Sequence, residues 1–92
     1  MTFADVLVEL QAMHDRKNAD YGRPGDPLAN IRASEDFGIP AWIGALVRGN
    51  DKMRRLQKAA QGGALVNESV EDSLLDLAVY AIIALILHRE AR

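Results

Sequence analysis

Two rows of side chains in this sequence have the types and the spacing to do chemistry. Glu68, Asp72, Asp76 and Tyr80 recur every four residues, a step that keeps them along one slowly drifting face of a helix. Arg48, Lys52 and Arg55 stand at i, i+4 and i+7, a basic row, with Asp51 beside Lys52 and four residues before Arg55. Gathered carboxylates suit magnesium, which prefers oxygen ligands in near-octahedral geometry and is often shared with substrate phosphates. Gathered bases bind phosphate directly, and arginine does so bidentately. A third series, His14, Lys17, Asn18 and Tyr21, continues along one face of an earlier helix at steps of three or four. Plainer accounts exist for each. Asp51 and Arg55 form an i,i+4 pair worth about 0.3 to 0.5 kcal/mol on a solvent face, and His14 and Lys17 complement a helix dipole in a solvated last turn.

The elements that must position these rows follow from the apolar pattern. From Leu74 to Leu87 only Asp76 and Tyr80 interrupt an apolar run. The stretch from Glu68 to Leu87 is therefore expected to be a helix buried on several sides, with a single polar seam. At the other end, Thr2 caps a first helix with Asp5 as its partner. Phe3, Val6, Leu7, Leu10 and Met13 make the apolar stripe of that helix, and Gly22 ends it. Arg23-Pro24-Gly25-Asp26-Pro27 is a turn-rich connection. Asp26 or Pro27 then opens a short helix over Leu28, Ile31 and Ala33, which Gly38 and Pro40 stop, so that Gly22 to Pro40 forms a long crossover of the kind that often serves as a lid or binding loop. Pro40 starts a long helix to about Ala60 with an apolar face of Trp42, Ile43, Leu46, Val47, Met53 and Leu56. Gly62-Gly63 closes it, and Asn67 or Ser69 restarts the chain.

The expected fold is all-α and a single domain over residues 1–92, with three main helices, a short helix in the crossover and no strand. Short connections make the last two long helices an antiparallel hairpin, which brings the basic row and the acidic seam face to face near one end.

Composition bounds the function classes. The chain has 92 residues, 49 % hydrophobic, with a net charge of -2 and no cysteine. Disulfides and thiolate zinc sites are excluded. A chain this short buries only about 60 % of its unfolded surface when alone, so an oligomeric helical bundle, a homodimer or larger, is expected, with the apolar flanks of the last helix as its core. The apolar run is shorter than the ~20 residues of a membrane span and carries Asp76, so no membrane association is expected. With no export leader at its start, the chain is expected in the cytoplasm. A pI near 5.6 argues against general nucleic-acid binding. His14 and His88 have no close acidic spacing and do not mark a metal site.

Three blocks in order, KNADYG (Lys17 to Gly22), RGNDKMRRL (Arg48 to Leu56) and NESVEDSLLDLAVYAIIALI (Asn67 to Ile86), resemble the phage-associated family called nucleotide modification associated domain 1. Val79 stands where that family commonly has asparagine before the tyrosine. The resemblance implies a small all-helical phage or prophage protein concerned with nucleotides. A more distant similarity is to the all-helical nucleoside triphosphate pyrophosphohydrolases of the MazG and dUTPase-like group, which hold magnesium with an ExxE pair on one helix and an ExxD pair on the next. Asp76 matches the ExxD aspartate, but Ser73 stands at the preceding glutamate position, and Arg48 and Asp51 stand where two acids are wanted.

That departure favours direct phosphate binding by bases over metal-assisted hydrolysis. The expected ligand-binding residues are Lys17, Asn18, Tyr21, Arg48, Asp51, Lys52, Arg55, Asp76 and Tyr80, with no cofactor. The expected ligand is a phosphorylated nucleotide, bound without hydrolysis. In a phage such a protein would sequester a host immune nucleotide signal, a cyclic dinucleotide or an ADP-ribose derivative. In the alternative, a magnesium-dependent pyrophosphohydrolase, Glu68, Asp72 and Asp76 hold Mg2+, with Asp72 and Asp76 as catalytic carboxylates. A second alternative makes the charged rows inter-helix salt bridges that set the register of a structural homo-oligomeric bundle. Trp42 is a further candidate for stacking on a base, with core packing as its plainer role.

Overall fold

The computed structural model describes residues 1–21, 28–64 and 69–91, the side chains of 18–21 and 29 apart. It contains α1 (Phe3–Tyr21), a short α2 (Ala29–Arg32) that runs into a 3-10 turn (Ala33–Phe37), α3 (Ala41–Ala60) and α4 (Val70–Glu90), with no strand among the described residues. Gly22, Asp26, Pro27 and Asn67, to which helix boundaries were assigned above, lie outside the described residues.

Local chemistry explains the boundaries that are described. At the start of α1 the Asp5 N–H donates to Thr2 Oγ1 at 3.2 Å and the Thr2 N–H donates to Asp5 Oδ2 at 2.8 Å, a reciprocal cap for two otherwise unpaired donors. Ser69 and Asp72 repeat the device at the start of α4, at 3.0 and 3.4 Å. Pro40 is the N-cap of α3 rather than its first residue, and its carbonyl accepts from the N–H groups of Ile43 and Gly44. Gly62, at φ +84°, takes the left-handed conformation that ends α3, with Gly63 N–H donating to Lys58 O at 2.9 Å.

The last two helices form the expected antiparallel hairpin, but not through the expected face of α3. Ala41, Ala45 and Gly49, one turn apart, are its buried residues. A Cβ on Gly49 would lie 3.4 Å from Leu77 Cδ1 and 3.6 Å from Tyr80 Cβ, so α4 passes close over this row. Trp42, Ile43 and Leu56 are half-buried, whereas Leu46, Val47 and Met53 are exposed. Small residues admit a closer helix approach than leucine or methionine, and a reading weighted by hydrophobicity overlooks them.

The core is correspondingly thin. Ala41, Ala45, Ile83, Ala84 and Leu87 form its buried cluster, with Leu28, Ile31, Trp42, Val79 and Tyr80 packed against it. On α1 the stripe is buried only at Leu10 and Met13, while Phe3 and Leu7 remain exposed. The expectation that α4 is buried on several sides is also corrected for the single chain. Ser73, Asp76, Ile83, Ala84 and Leu87 are covered, but Leu74, Ile82, Leu85 and Ile86 are exposed, because α1 and α3 cover one side of the helix. No helix among the described residues is long and apolar enough to cross a membrane.

Candidate functional site

Asp76 is the meeting point of three helices. Lys17 Nζ, from α1, donates to its Oδ1 at 2.5 Å, and Lys52 Nζ, from α3, lies 3.0 Å from its Oδ2. The side chains are 8 % exposed for Asp76, 16 % for Lys52 and 50 % for Lys17, a gradient from the hairpin interface out to solvent. Burial pushes the Asp76 carboxyl up, but the hydrogen bonds and charges of Lys17 and Lys52 outweigh it and hold the group below the ordinary value of 3.8. Asp76 is therefore an ionised acid at neutral pH. Two ammonium groups thus converge on one carboxylate.

The helices place this cluster by simple register. Asp76 follows Ser73 by one turn on the inner face of α4, and Ser73 is fully buried with its hydroxyl hydrogen-bonded. Lys52 follows Gly49 by one turn on α3, at the end of the small-residue row, where its four-carbon stem runs along the interface and its ammonium reaches the carboxylate. Arg48 is exposed one turn before Lys52, and Arg55 is half-buried one turn after it. The basic row thus begins in solvent at Arg48 and dips to the buried acid at Lys52.

Of the residues expected to act together, Lys17, Lys52 and Asp76 are brought into contact. Asp51 is exposed beside them in sequence, and no ion pair joins it to Arg55 among the described residues. Tyr80 is half-buried against the apolar cluster, and Trp42 packs edge-on against the His88 ring with centroids 5.2 Å apart. The side chains of Asn18 and Tyr21, and Glu68 altogether, lie outside the described residues.

The acidic seam does not stay together as one wall. Asp72 is exposed and engaged in the cap of its own helix, whereas Asp76, four residues on, is buried between lysines. Asp72 falls in the first turn of α4, where it closes the cap, and Asp76 one turn further in, where Lys17 of α1 and Lys52 of α3 reach it. Among the described residues, no group of three or more His, Cys, Asp or Glu could hold a metal ion.

Two features were not anticipated. One is the buried hydroxyl of Ser73, for which the only signal was a small polar residue one turn before Asp76. The other is a groove of about 500 Å3 at the opposite end of the hairpin, lined among others by Arg32, Glu35, Pro40, Trp42, Leu87 and Glu90. Arg32 Nη2 lies 2.8 Å from Glu90 Oε2 at its edge, a pairing over 58 positions that no local pattern announces.

Comparison of the chain with protein-family models, with curated proteins and with solved structures finds no match in any of the three.

Proposed function

We propose that this protein binds a phosphorylated nucleotide without hydrolysing it, as a homo-oligomer with its pockets between subunits. The observation that carries the reading is the convergence of Lys17 and Lys52 on Asp76, with Arg48 and Arg55 flanking Lys52 on α3. The buried carboxylate orders the two ammonium groups. Lys17, half-exposed, has further N–H donors to direct toward a phosphate oxygen. The arginines add bidentate donors at the same surface. Hydrolysis through a carboxylate-bound metal has less support, because Asp76 is engaged by two cations and Asp72 by its cap.

In the phage or prophage setting implied by the sequence resemblance, the protein acts in the cytoplasm of a bacterial host. There it removes a host immune nucleotide signal, a cyclic dinucleotide or an ADP-ribose derivative, from circulation. The experiment is to mix the purified chain with a nucleotide panel, with and without magnesium, and to analyse bound and free fractions by mass spectrometry. Recovery of an intact nucleotide from the heat-denatured complex is expected. Cleaved products or released pyrophosphate would establish the pyrophosphohydrolase reading instead.

The same geometry favours one second reading. A buried acid tied to two other helices is also what a purely structural clasp requires, with the charges fixing helix register in a bundle. No retention of any nucleotide in the panel, and no thermal shift on adding it, would select that reading.

A further inference from the structure

We infer that the outer face of α4 is a two-fold interface that pairs antiparallel with the α4 of a second copy of this chain. This deepens the homo-oligomer of the proposed function and takes that assembly as its premise.

The outer face of α4 has the composition of an obligate interface. Leu74 and Ile82 are 52 and 46 % exposed on the side of the helix turned away from Ser73, Asp76, Ile83 and Leu87, and Ile86, 42 % exposed, stands at the flank of that side. No charged residue interrupts this face between Leu74 and Ile86. At its two ends stand Glu71 and Arg89, both exposed and neither in an ion pair among the described residues.

The order of these residues selects the partner. The stripe Glu71, Leu74, Ala78, Ile82, Ile86, Arg89 is symmetric in its spacing about Tyr80, with steps of three, four, four, four and three. In a shallow antiparallel crossing centred there, Glu71 of each copy meets Arg89 of the other. Leu74 meets Ile86, and the small Ala78 receives the large Ile82. A contact that is satisfied by its own reversed copy is isologous, the arrangement of a two-fold dimer. A parallel pairing would instead set Glu71 against Glu71 and Arg89 against Arg89.

The experiment measures the mass of the full chain in solution by sedimentation, together with nucleotide retention on the same samples. Wild type is expected to associate, and Ile82→Glu to lose that association while keeping its helical circular dichroism. Glu71→Arg and Arg89→Glu should each shift the equilibrium toward smaller species by roughly fivefold or more, since two exposed pairs become repulsive. Mixing these two variants in equal amounts should restore association, because both contacts in the mixed pair are then attractive. A monomeric wild type, an assembly that Ile82→Glu leaves intact, or a mixture that fails to recover would overturn the interface. Nucleotide retention by a monomer would show that the interface had failed and the binding function had not.

Discussion

Lys52 Nζ lies 3.0 Å from Oδ2 of Asp76 across the α3–α4 hairpin, and the carboxylate it meets is 8 % exposed. Removing the acid of a buried pair commonly costs about 3 kcal/mol or more. Asp76→Ala is therefore expected to destabilise the chain by about 2 to 4 kcal/mol. Lys17→Ala, which removes a half-exposed partner, is expected to cost less than about 1 kcal/mol. Urea denaturation of the two variants tests the ordering, and equal losses would contradict the exposure gradient on which it depends.

The same carboxylate sets an acid limb on stability. Its folded value lies below the unfolded value of 3.8 because the two lysines outweigh burial. Between those values the unfolded chain binds more protons than the folded one, so stability falls as protons are added. The contribution is complete above the unfolded value and is lost as pH falls through the folded one. Asp5 is also held low, by its hydrogen bonds from Thr2, and acts in the same direction. Stability measured from pH 6 downward is expected to decline less in Asp76→Asn than in wild type when both are normalised to neutral pH. Parallel curves would place the acid sensitivity elsewhere.

Gly44 gives a separate test of the crossover. A Cβ there would sit 2.5 Å from Ser34 Oγ and 2.7 Å from Ser34 Cβ, where the Ser34 hydroxyl donates to Ile39 O at 3.1 Å. Alanine improves helix propensity by about 1 kcal/mol, but the overlap involves a short side chain that cannot swing away. Gly44→Ala is expected to destabilise by about 1 to 3 kcal/mol despite that gain. Adding Ser34→Gly should recover part of the loss, with a coupling of about 1 kcal/mol in a double-mutant cycle. Strict additivity would mean that α3 and the 3-10 turn do not meet as described.

How much of this was legible from sequence depends on the range of the cause. Caps at Thr2 and Ser69, the stop at Gly62 and the hairpin of α3 with α4 are local or nearly so, and their residues announce them. The packing face of α3 was misplaced, since Ala41, Ala45 and Gly49 contribute through closeness rather than hydrophobicity. Lys17 and Asp76 were each singled out, but their contact spans 59 positions and depends on how α1 lies across the hairpin. Asp72 and Asp76 share a sequence pattern and diverge in role because Asp72 falls in the first turn of α4, where it caps the helix, and Asp76 one turn further in, where α1 and α3 reach it.

The arginines on either side of Lys52 give the test that separates binding from architecture. Arg48 is exposed, and no ion pair ties it to another described residue, so Arg48→Ala should leave stability within about 0.5 kcal/mol of wild type. If the basic row holds a nucleotide's phosphates, the same substitution is expected to weaken nucleotide binding about tenfold, the cost of one charge-assisted contact. The wild-type affinity should also fall with added salt, more steeply than that of the variant. Asp72→Ala serves as the contrasting variant. It loses a helix cap, costing about 1 kcal/mol, and should bind nucleotide at saturation as wild type does, whereas a metal-bearing acidic seam would make it the more damaging change. Calorimetric titration of both variants at two ionic strengths, alongside their urea curves, reads all of these quantities. Loss of binding in Asp72→Ala with Arg48→Ala unaffected would return the site to the acids.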